Sequence, residues 1–272
     1  MTTSASRPVF AILSALVEER AGLHYGPAEQ DLFLERVTAR SEEAGFESLL
    51  DYYYYLRYDS AGPKELEELV AYLVVNETYF FRELEALRLI VDRFIAPAVR
   101  AGRRPRIWSA ACATGEEPLT LAMLLAEDGL LQEVELLASD ISQRALDVAR
   151  GGSFSRRSLR GDAHPELAQR WIREEGGRLR VAPALLDAIA WRRLNLCAPE
   201  ETQGMAECDV ILCRNVLIYF RDDTVVRVIE SLSSQLKPNG ALFVGVSESL
   251  LRFGTALACE ETEQVFYYRK VS

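Results

Sequence analysis

The amino-acid sequence predicts an α/β protein in which a parallel, doubly wound sheet follows an all-helical N-terminal region. From Pro8 to about Ile95, apolar residues recur at helical spacing, with breaks at the Gly–Pro pairs 26–27 and 62–63. After Gly102, short β-like runs alternate with helical segments, which is the pattern of parallel strands joined by crossover helices. In such folds, ligands bind at the carboxyl ends of the strands.

Several segments of the C-terminal region are short, apolar and bounded by turn residues, as buried strands are: Ile107–Cys112, Val134–Asp140, Ile189–Leu196, Val210–Arg214 and Ala241–Val246. The segments between them that show helical spacing are predicted to be helices: Pro118–Glu127, Gln143–Arg150 and Thr224–Leu236. A last β-like run, Gln264–Arg269, is expected to add an antiparallel strand at the edge of the sheet.

The change of pattern predicts two domains. We expect a helical domain over residues 1–101, a linker near residues 96–105 and a sheet domain over residues 102–272. Within the sheet domain, residues 151–187 are predicted to form a small β insert with a hairpin at Gly176–Gly177. The insert is rich in arginine although the chain is acidic, so it is either a solvated face or a docking surface for an acidic partner.

Composition limits the functional class. The 272 residues carry a formal net charge of −10, which argues against nucleic acid as the main partner, because phosphate contacts dominate that kind of affinity. The five cysteines form no C-x-x-C pair and only two histidines are present, so we expect no metal site and no Ser–His–Asp triad. The opening residues do not read as a signal peptide, and no apolar stretch reaches membrane-spanning length. We therefore expect a cytoplasmic protein without membrane insertion.

The stretch Arg106–Pro118, RIWSAACATGEEP, passes from a β-like run through small residues to the start of a helix. Small side chains let the backbone approach a nucleotide-type ligand, although the glycines of a dinucleotide fingerprint are absent. Glu116 and Glu117 stand where a phosphate would otherwise bind the helix N-terminus. Two carboxylates favour a cationic, hydroxyl-rich ligand such as S-adenosylmethionine. The alternative is an ordinary strand–turn–helix whose acids interact with the helix dipole.

Polar residues follow the predicted strands at the edge where a ligand would bind. Asp140 ends the second strand, where an acid commonly holds a ribose diol. The alternative is that Asp140 caps the following helix, a role that Ser142 would fill equally well. Asn195–Leu196 and Arg214–Asn215 likewise follow buried strands and are suited to line a site.

The segment Asn76–Glu83, NETYFFRE, lies before the sheet region. Thr78 is suited to cap the helix that carries Leu84 and Leu87. That interpretation does not account for Arg82, which directly follows two phenylalanines. An arginine on the wall of an aromatic pocket is suited to anchoring a carboxylate through two hydrogen bonds.

Taken together, these motifs resemble those of the CheR-type chemotaxis receptor methyltransferases, which are protein-glutamate O-methyltransferases. The motifs occur in the same order, from about Tyr52 to Tyr268: NETYFFRE, WSAACATGEEP, LASDIS, CRNVLIYF and LKPNGALFVGVSES. The resemblance implies a Rossmann-like S-adenosylmethionine-dependent methyltransferase sheet preceded by a helical domain. It also implies methyl transfer to glutamate side chains on the cytoplasmic coiled coil of chemoreceptors. We expect the enzyme to be a monomer.

The resemblance further implies which residues form the site. Those implied to bind S-adenosylmethionine are Asn76, Thr78, Arg82, Glu116, Asp140, Asn195, Leu196, Arg214 and Asn215. Arg82 and Tyr219 match the positions proposed to assist the chemistry. The N-terminal helices are acidic where family members present a basic helix, so receptor recognition is expected to use Arg36, Arg40 and the arginines near Arg156.

Two other functions share part of this pattern. An S-adenosylmethionine-dependent methyltransferase of a small molecule or of RNA would have the same cofactor motifs, but it would not account for a helical domain joined through NETYFFRE. A non-catalytic protein that senses the cofactor would have the same pocket. The presence of Arg82, Asp140 and Tyr219 argues against such a loss of catalysis.

Overall fold

The computed structural model describes residues 6–160 and 165–271. We expect no signal peptide at the start of the chain. Residues 1–5 of that segment lie outside the described ranges. Residues 161–164 of the predicted β insert also lie outside them. None of the described helices is long and apolar enough to cross a membrane.

The chain divides into two compact units, and neither is continuous in sequence. The first unit contains the chain through Val75 together with Tyr219–Thr224. The second unit contains Asn76–Ile218 and the chain from Val225 onward. The compact units thus divide after Val75, and the domain boundary proposed near residues 96–105 stays a prediction.

The first unit is built from amphipathic helices: α1 (Ser6–Ala21), α2 (Gln30–Glu43), α3 (Leu49–Tyr58) and α4 (Gly62–Leu73). Their apolar faces meet in a core that buries Leu13, Val17, Phe33, Val37, Leu56, Leu69 and Leu73. Ser48 begins α3 by accepting a hydrogen bond from the Asp51 N–H. The helical N-terminal region predicted from apolar spacing is therefore confirmed.

Arg40, which is expected to take part in receptor recognition, contributes to the packing of α2 against α4. Its Nε and Nη2 donate to the two carboxylate oxygens of Glu65 at 2.8 and 2.6 Å. The Tyr52 hydroxyl donates to the same carboxylate at 2.7 Å. Arg36 donates to the Leu73 carbonyl oxygen at 3.0 Å. Arg40 is therefore not a free surface cation, because a bidentate pair with a mostly buried glutamate occupies it.

The remaining helices are α5 (Leu84–Leu89), α6 (Ala96–Arg100), α7 (Glu116–Glu127), α8 (Gln143–Gly151), α9 (Pro165–Trp171), α10 (Pro183–Asp187), α11 (Pro199–Thr202) and α12 (Asp222–Gln235). A π-helical segment, Ile90–Ile95, joins α5 to α6. The predicted helices Pro118–Glu127, Gln143–Arg150 and Thr224–Leu236 correspond to α7, α8 and α12 within two residues at each end.

The strands in chain order are β1 (Arg106–Ala110), β2 (Glu135–Asp140), β3 (Ser153–Phe154), β4 (Ile172–Glu175), β5 (Arg178–Val181), β6 (Ile189–Arg193), β7 (Cys208–Cys213), β8 (Leu236–Phe243), β9 (Leu257–Thr262) and β10 (Val265–Lys270). Seven of them form one sheet in the order β6-β2-β1-β7-β8-β10-β9. The pairs from β6 to β8 are parallel, and β10 is antiparallel to both β8 and β9. The predicted parallel sheet is confirmed, as part of a mixed sheet.

The last strands differ from the prediction. The run Gln264–Arg269 is β10, whose antiparallel direction is confirmed but whose place is between β8 and β9. The edge strand is β9, which the sequence did not reveal because its residues, LACEET, look like a polar loop. The predicted strand Ala241–Val246 is β8, which already ends at Phe243. It ends there because the following chain turns back, with the Gly245 N–H bonded to Glu248.

The predicted insert contains a separate antiparallel sheet in the order β3-β5-β4. Gly176 and Gly177 join β4 to β5 with φ values of 58° and 76°. Two consecutive positive φ angles are what the tightest hairpin turns require, and glycine adopts them without strain. Leu179 and Val181 are buried, whereas Arg178 and Arg180 are exposed. The predicted hairpin is therefore confirmed.

We expect Gly62→Ala to destabilise the protein by about 1–3 kcal/mol, the usual cost of overpacking. A Cβ atom at residue 62 would lie 2.4 Å from the Tyr55 carbonyl oxygen and 2.6 Å from that of Leu56. These are backbone atoms of α3 and cannot rotate away. The matched control is Gly26→Ala, whose Cβ would meet nothing closer than Glu29 Oε2 at 3.5 Å. Urea unfolding followed by circular dichroism measures both, and equal stability of the two variants would contradict the expectation.

Candidate active site

β1 is the strand at which the winding of the sheet reverses. It pairs in parallel with β2 on one side and with β7 on the other. The turn after β1 (residues 111–115) and the turn after β7 (residues 214–218) therefore leave the same edge of the sheet. At such a switch point the connections run to opposite faces and leave a crevice that binds ligands.

The turn after β1 carries only small side chains and adopts unusual backbone angles. Ala111 and Ala113 have φ values of 58° and 49°, in the left-handed region that alanine rarely enters. Gly115, with φ of 93°, is required by packing: a Cβ there would lie 2.7 Å from Ala149 Cβ and 2.9 Å from the Trp191 ring. Gly115 therefore lets α7 approach α8 and β6, while the two alanines keep the crevice side of the turn small.

Asp140 closes β2 beside this turn. Its Oδ2 accepts a hydrogen bond from the Ala113 N–H at 2.8 Å, and its Oδ1 accepts one from the Ser142 N–H at 2.9 Å. Ser142 is the residue that caps α8, since its hydroxyl accepts from the Ala145 N–H, and the alternative of an Asp140 cap is wrong. Burial raises the pKa of Asp140, and its backbone hydrogen bonds lower it in part. A carboxylate has about four lone-pair sites, so Asp140 retains acceptor capacity for another donor.

Glu116 opens α7 and is only 1% exposed. Its Oε2 accepts a hydrogen bond from the Thr114 hydroxyl at 2.6 Å. Burial raises the pKa of Glu116, and hydrogen bonds with the Thr114 and Ser158 side chains lower it in part. Within the part of the chain that the structure describes, no arginine or lysine forms an ion pair with Glu116 or with Asp140. The two carboxylates therefore give the crevice an uncompensated negative charge.

A buried arginine connects three segments around the crevice. The Arg214 side chain is 2% exposed, and its Nη1 and Nη2 donate to Glu117 and Glu83, each at 2.7 Å. Its Nη2 also donates to the Arg82 carbonyl oxygen at 3.2 Å. Burial alone would lower the pKa of Arg214, but the two carboxylates raise it overall. This cluster of Arg214, Glu117 and Glu83, called the charge cluster below, ties the turn after β7 to α7 and to the chain before α5.

Glu117 therefore does not share the function of its neighbour. One of its oxygens binds Arg214, and the other accepts a hydrogen bond from the Ser109 hydroxyl at 2.7 Å. The sequence interpretation of two carboxylates facing a ligand is thus corrected for Glu117. Glu116 is the acid of that pair whose charge stays uncompensated.

Arg82 keeps a partly exposed guanidinium, with 28% of its side chain accessible. Its Nη1 donates to the Glu77 carbonyl oxygen at 3.3 Å, and its guanidinium lies 5.5 Å from the centre of the Tyr79 ring. Arg160 lies over the same ring at 4.3 Å and pairs with the Glu77 carboxylate at 2.8 Å. The aromatic partner of Arg82 is therefore Tyr79, whereas the two phenylalanines before Arg82 are buried in the core.

Asn76 and Thr78 lie in the irregular segment before α5. The helix begins after Glu83, which is its N-cap residue in a left-handed conformation, so the alternative that Thr78 caps this helix is wrong. The Phe80 N–H donates to the Ser158 carbonyl oxygen at 2.8 Å. This bond fixes the segment against the residues that follow β3.

The turns after β6 and β7 carry further predicted cofactor residues. The Leu194 N–H donates to the Asp140 carbonyl oxygen at 2.9 Å, which keeps the chain after β6 beside the end of β2. Asn195 and Leu196 follow directly, and both are buried. Asn215 is half-buried and has a φ of 59°. The structure thus brings residues from three strand ends to one edge of the sheet.

Tyr219 belongs to the first unit, unlike the other predicted site residues. Its carbonyl oxygen accepts a hydrogen bond from the His24 N–H at 2.9 Å, and the next residue, Phe220, forms a β-bridge with Leu23. Its part in the chemistry stays a prediction.

Three residues that support the site were not found from the sequence: Glu83, Ser158 and Glu248. Glu83 and Ser158 lie in segments without periodicity, where no local pattern marks a partner distant in sequence. Glu248 offered a signal, because it lies in the polar run Ser247–Ser249 just beyond the buried strand β8. The same criterion had already identified Arg214 and Asn215.

The charges of the crevice match one class of ligand. The uncompensated carboxylates of Asp140 and Glu116 attract positive charge, and they would repel a phosphate. S-adenosylmethionine carries a sulfonium, an ammonium and a ribose diol, so its positive charges and hydroxyl donors fit these acceptors. The small turn at Ala111 and Ala113 leaves the backbone open to such a ligand.

Sequence comparisons agree with this chemistry. The model of the "CheR methyltransferase, SAM binding domain" matches residues 76–266, and that of the "CheR methyltransferase, all-alpha domain" matches residues 8–74. The second unit is therefore that of an S-adenosylmethionine-dependent methyltransferase. More narrowly, the chain belongs to the CheR methyltransferase family.

Curated relatives match over most of the chain. The chain is 34% identical over 242 residues to chemotaxis protein methyltransferase 2 of Vibrio cholerae, and the match covers 87% of this chain and 84% of that protein. It is 31% identical over 256 residues to chemotaxis protein methyltransferase 1 of Pseudomonas aeruginosa, covering 91% and 92%. It is 33% identical over 247 residues to the chemotaxis protein methyltransferase of Escherichia coli, covering 88% and 84%. The family resemblance seen in the motifs is confirmed.

We expect Arg214→Met to lower the free energy of unfolding by about 3–5 kcal/mol, because it leaves Glu83 and Glu117 without their cation in a buried site. The matched control is Arg103→Met. Arg103 pairs with Asp209 at 2.8 Å, but its side chain is 57% exposed, so we expect a loss below about 1 kcal/mol. Urea unfolding of the full chain measures both variants. Equal losses would show that the charge cluster does not stabilise the fold.

Proposed function

We propose that this protein transfers the methyl group of S-adenosylmethionine to glutamate side chains of chemoreceptors, giving glutamyl methyl esters and S-adenosylhomocysteine. The observation that carries the proposal is the pair of uncompensated buried carboxylates, Asp140 and Glu116, at the switch point of the sheet. The acceptor is suggested by the relatives, which are named chemotaxis protein methyltransferases. A small-molecule or RNA substrate, and a purely sensory role, have no comparable support.

This reaction asks for little acid–base chemistry from the protein. A glutamate carboxylate is already ionised at neutral pH, so no general base is needed. S-adenosylmethionine carries its methyl group on a sulfonium, and the neutral thioether S-adenosylhomocysteine leaves when the methyl group is transferred. The residues of the site contribute by holding the reactants in line and by excluding water from their opposite charges.

The residues proposed to bind the cofactor differ in whether their polar atoms are already occupied by other residues of the protein. Asp140 has lone pairs available for the ribose hydroxyls, and Glu116 supplies negative charge near the cationic part. Arg214 contributes mainly by holding its neighbours, because both of its Nη atoms are bound to glutamates. The other proposed contacts are Asn76, Thr78, Arg82, Asn195, Leu196 and Asn215.

Arg82 and Tyr219 are proposed to assist the transfer. Among the described residues the Arg82 guanidinium makes one hydrogen bond, of 3.3 Å, and its Nε lies 4.0 Å from Glu83 Oε1, which still leaves donors for the acceptor carboxylate. A tight arginine–carboxylate pair would weaken the nucleophile, so Arg82 is assigned to orienting the acceptor. Tyr219 is assigned to hydrogen bonding near the transferred methyl group.

The acceptor is proposed to lie on the cytoplasmic coiled coil of a chemoreceptor, with the enzyme acting in the cytoplasm as a monomer that binds no nucleic acid. The arginine-rich insert suits such an acidic surface. Arg173 and Arg180 are exposed and face each other in register across β4 and β5, and Arg157 is exposed nearby in sequence. Arg156 is paired with Glu174 and is less available.

The central test is transfer of a labelled methyl group from S-adenosylmethionine to a chemoreceptor cytoplasmic fragment, with the label recovered as a base-labile ester. We expect Arg82→Ala to lower kcat/KM by roughly 10- to 100-fold, the usual effect of misplaced reactants. Tyr219→Phe should lower kcat more than it raises KM. The control is Arg88→Ala, which removes only a half-exposed pair with Asp128.

The outcomes separate the alternatives. Label in a small molecule or in RNA, with none in the receptor, would contradict the proposed acceptor. Binding of S-adenosylmethionine without transfer to any acceptor would support a sensory protein instead. If Arg82→Ala transfers at the rate of the unaltered enzyme with both reactants saturating, Arg82 has no part in the chemistry.

We expect the affinity for S-adenosylhomocysteine to fall on acidification. Burial raises the pKa of both Glu116 and Asp140, and each must be ionised to attract the ligand's ammonium or accept its hydroxyl hydrogens. Affinity is therefore full above the raised pKa values and is lost as the pH falls through them, at a less acid pH than for ordinary carboxyls. Calorimetry across this range measures it. Glu116→Gln should flatten the profile, and an unchanged profile in that variant would exclude Glu116 as the titrating group.

A further inference from the structure

Glu248 is a buried carboxylate that binds backbone groups from two turns. It is 8% exposed. Its Oε2 accepts hydrogen bonds from the N–H groups of Asn215 at 2.6 Å and Gly245 at 2.8 Å. Its Oε1 accepts from those of Leu217 at 2.8 Å and Ile218 at 3.3 Å. One side chain therefore ties the turn after β7 to the turn after β8.

This arrangement requires a carboxylate. An ionised carboxylate only accepts hydrogen bonds, and it has two oxygens that can each take two donors. Backbone N–H groups that converge in this way form a concavity suited to an anion, and hydrogen bonds to an ionised acceptor are the stronger kind. A glutamine of the same shape would place an NH₂ group against two of the N–H donors. The substitution Glu248→Gln therefore breaks the contacts while keeping the size of the side chain.

The residue that Glu248 constrains most is Asn215. With a φ of 59°, Asn215 is in the left-handed region, which asparagine enters more readily than other non-glycine residues but which still costs free energy relative to the usual backbone regions. Glu248 binds its N–H group. A Cβ at Gly245 would lie 2.5 Å from Asn215 Nδ2 and 2.9 Å from Glu248 Oε2, so the Asn215 side chain packs directly on Gly245. The backbone and the side chain of Asn215 are thus both set by the Gly245–Glu248 turn.

We infer that Glu248 is a positioning residue for the methyltransferase: it holds Asn215 in the conformation that meets the cofactor. The inference rests on the proposed function, in which Asn215 is a cofactor contact. Glu248 itself is not assigned to touch the ligand. Its effect on binding therefore passes through Asn215.

The test is a double-mutant cycle on the full chain, with S-adenosylhomocysteine binding measured by calorimetry. We expect Glu248→Gln to weaken binding about tenfold, because the free turn loses its preorganised conformation. In an Asn215→Ala background the same substitution should have little further effect, since the residue through which it acts is gone. A residue that only stabilises the fold would not show this coupling.

The matched control is Asp209→Asn. Asp209 is also a partly buried carboxylate that accepts a backbone hydrogen bond, from Arg106 at 2.9 Å, and it pairs with Lys237 at 2.8 Å. It lies at the start of β7, at the opposite end of the strand from Asn215. We expect this variant to melt at a lower temperature and to bind S-adenosylhomocysteine with unchanged affinity.

The inference is overturned if Glu248→Gln lowers the melting temperature but leaves the affinity unchanged, or if its effect and that of Asn215→Ala simply multiply. If the unaltered protein does not bind S-adenosylhomocysteine at all, the proposed function fails. That result is distinct from a failure of the inference about Glu248, in which the unaltered protein binds normally. Should Glu248→Gln not fold, Gly245→Ala replaces it in the same cycle. That variant keeps the carboxylate but crowds both the Asn215 side chain and Glu248 Oε2, so it disturbs the same contact from the other side. An unchanged affinity there would equally overturn the inference.

Discussion

A guanidinium buried between two carboxylates is the constraint on which the rest of the catalytic unit depends. A charge removed from water is tolerated only when it is balanced and hydrogen-bonded, so Arg214, Glu117 and Glu83 must assemble together. They come from segments far apart in the chain. Each stands next to a predicted site residue: Arg82 beside Glu83, Glu116 beside Glu117, and Asn215 beside Arg214. The interaction that joins these segments therefore also brings residues predicted to contact the ligand to one place.

The acids of the site fall into two groups with different consequences. Glu83 and Glu117 are paired with Arg214 and hold the structure together, whereas Glu116 and Asp140 form no ion pair with an arginine or lysine among the described residues and are the acids proposed to meet the ligand. Glu116 and Glu117 are neighbours, yet they point in different directions because successive residues of a helix are rotated by about 100°. The geometry of one helical turn thus separates a carboxylate that pairs with Arg214 from the one proposed to meet the ligand.

Local sequence patterns predicted the helical region, the parallel strands and the polar strand ends, because those features depend on the spacing of nearby residues. Features that depend on distant partners could not be predicted. Gly115 is needed because Ala149 and Trp191 pack against it, and Arg40 is occupied by Glu65, which no motif indicates. The order of the last two strands was missed for the same reason, since edge position is decided by pairing. The direct cofactor contacts, drawn from the family motifs, remain predictions.

The short segment Tyr219–Thr224 groups with the helices of the first unit although its neighbours in sequence belong to the second. A fragment cut after Val75 would lack Phe220, the bridge partner of Leu23. Genetic recombination that joined a different N-terminal region at that point would separate the new helices from the segment that pairs with Leu23 in this chain. We therefore expect the two units to be inherited together rather than exchanged as separate modules.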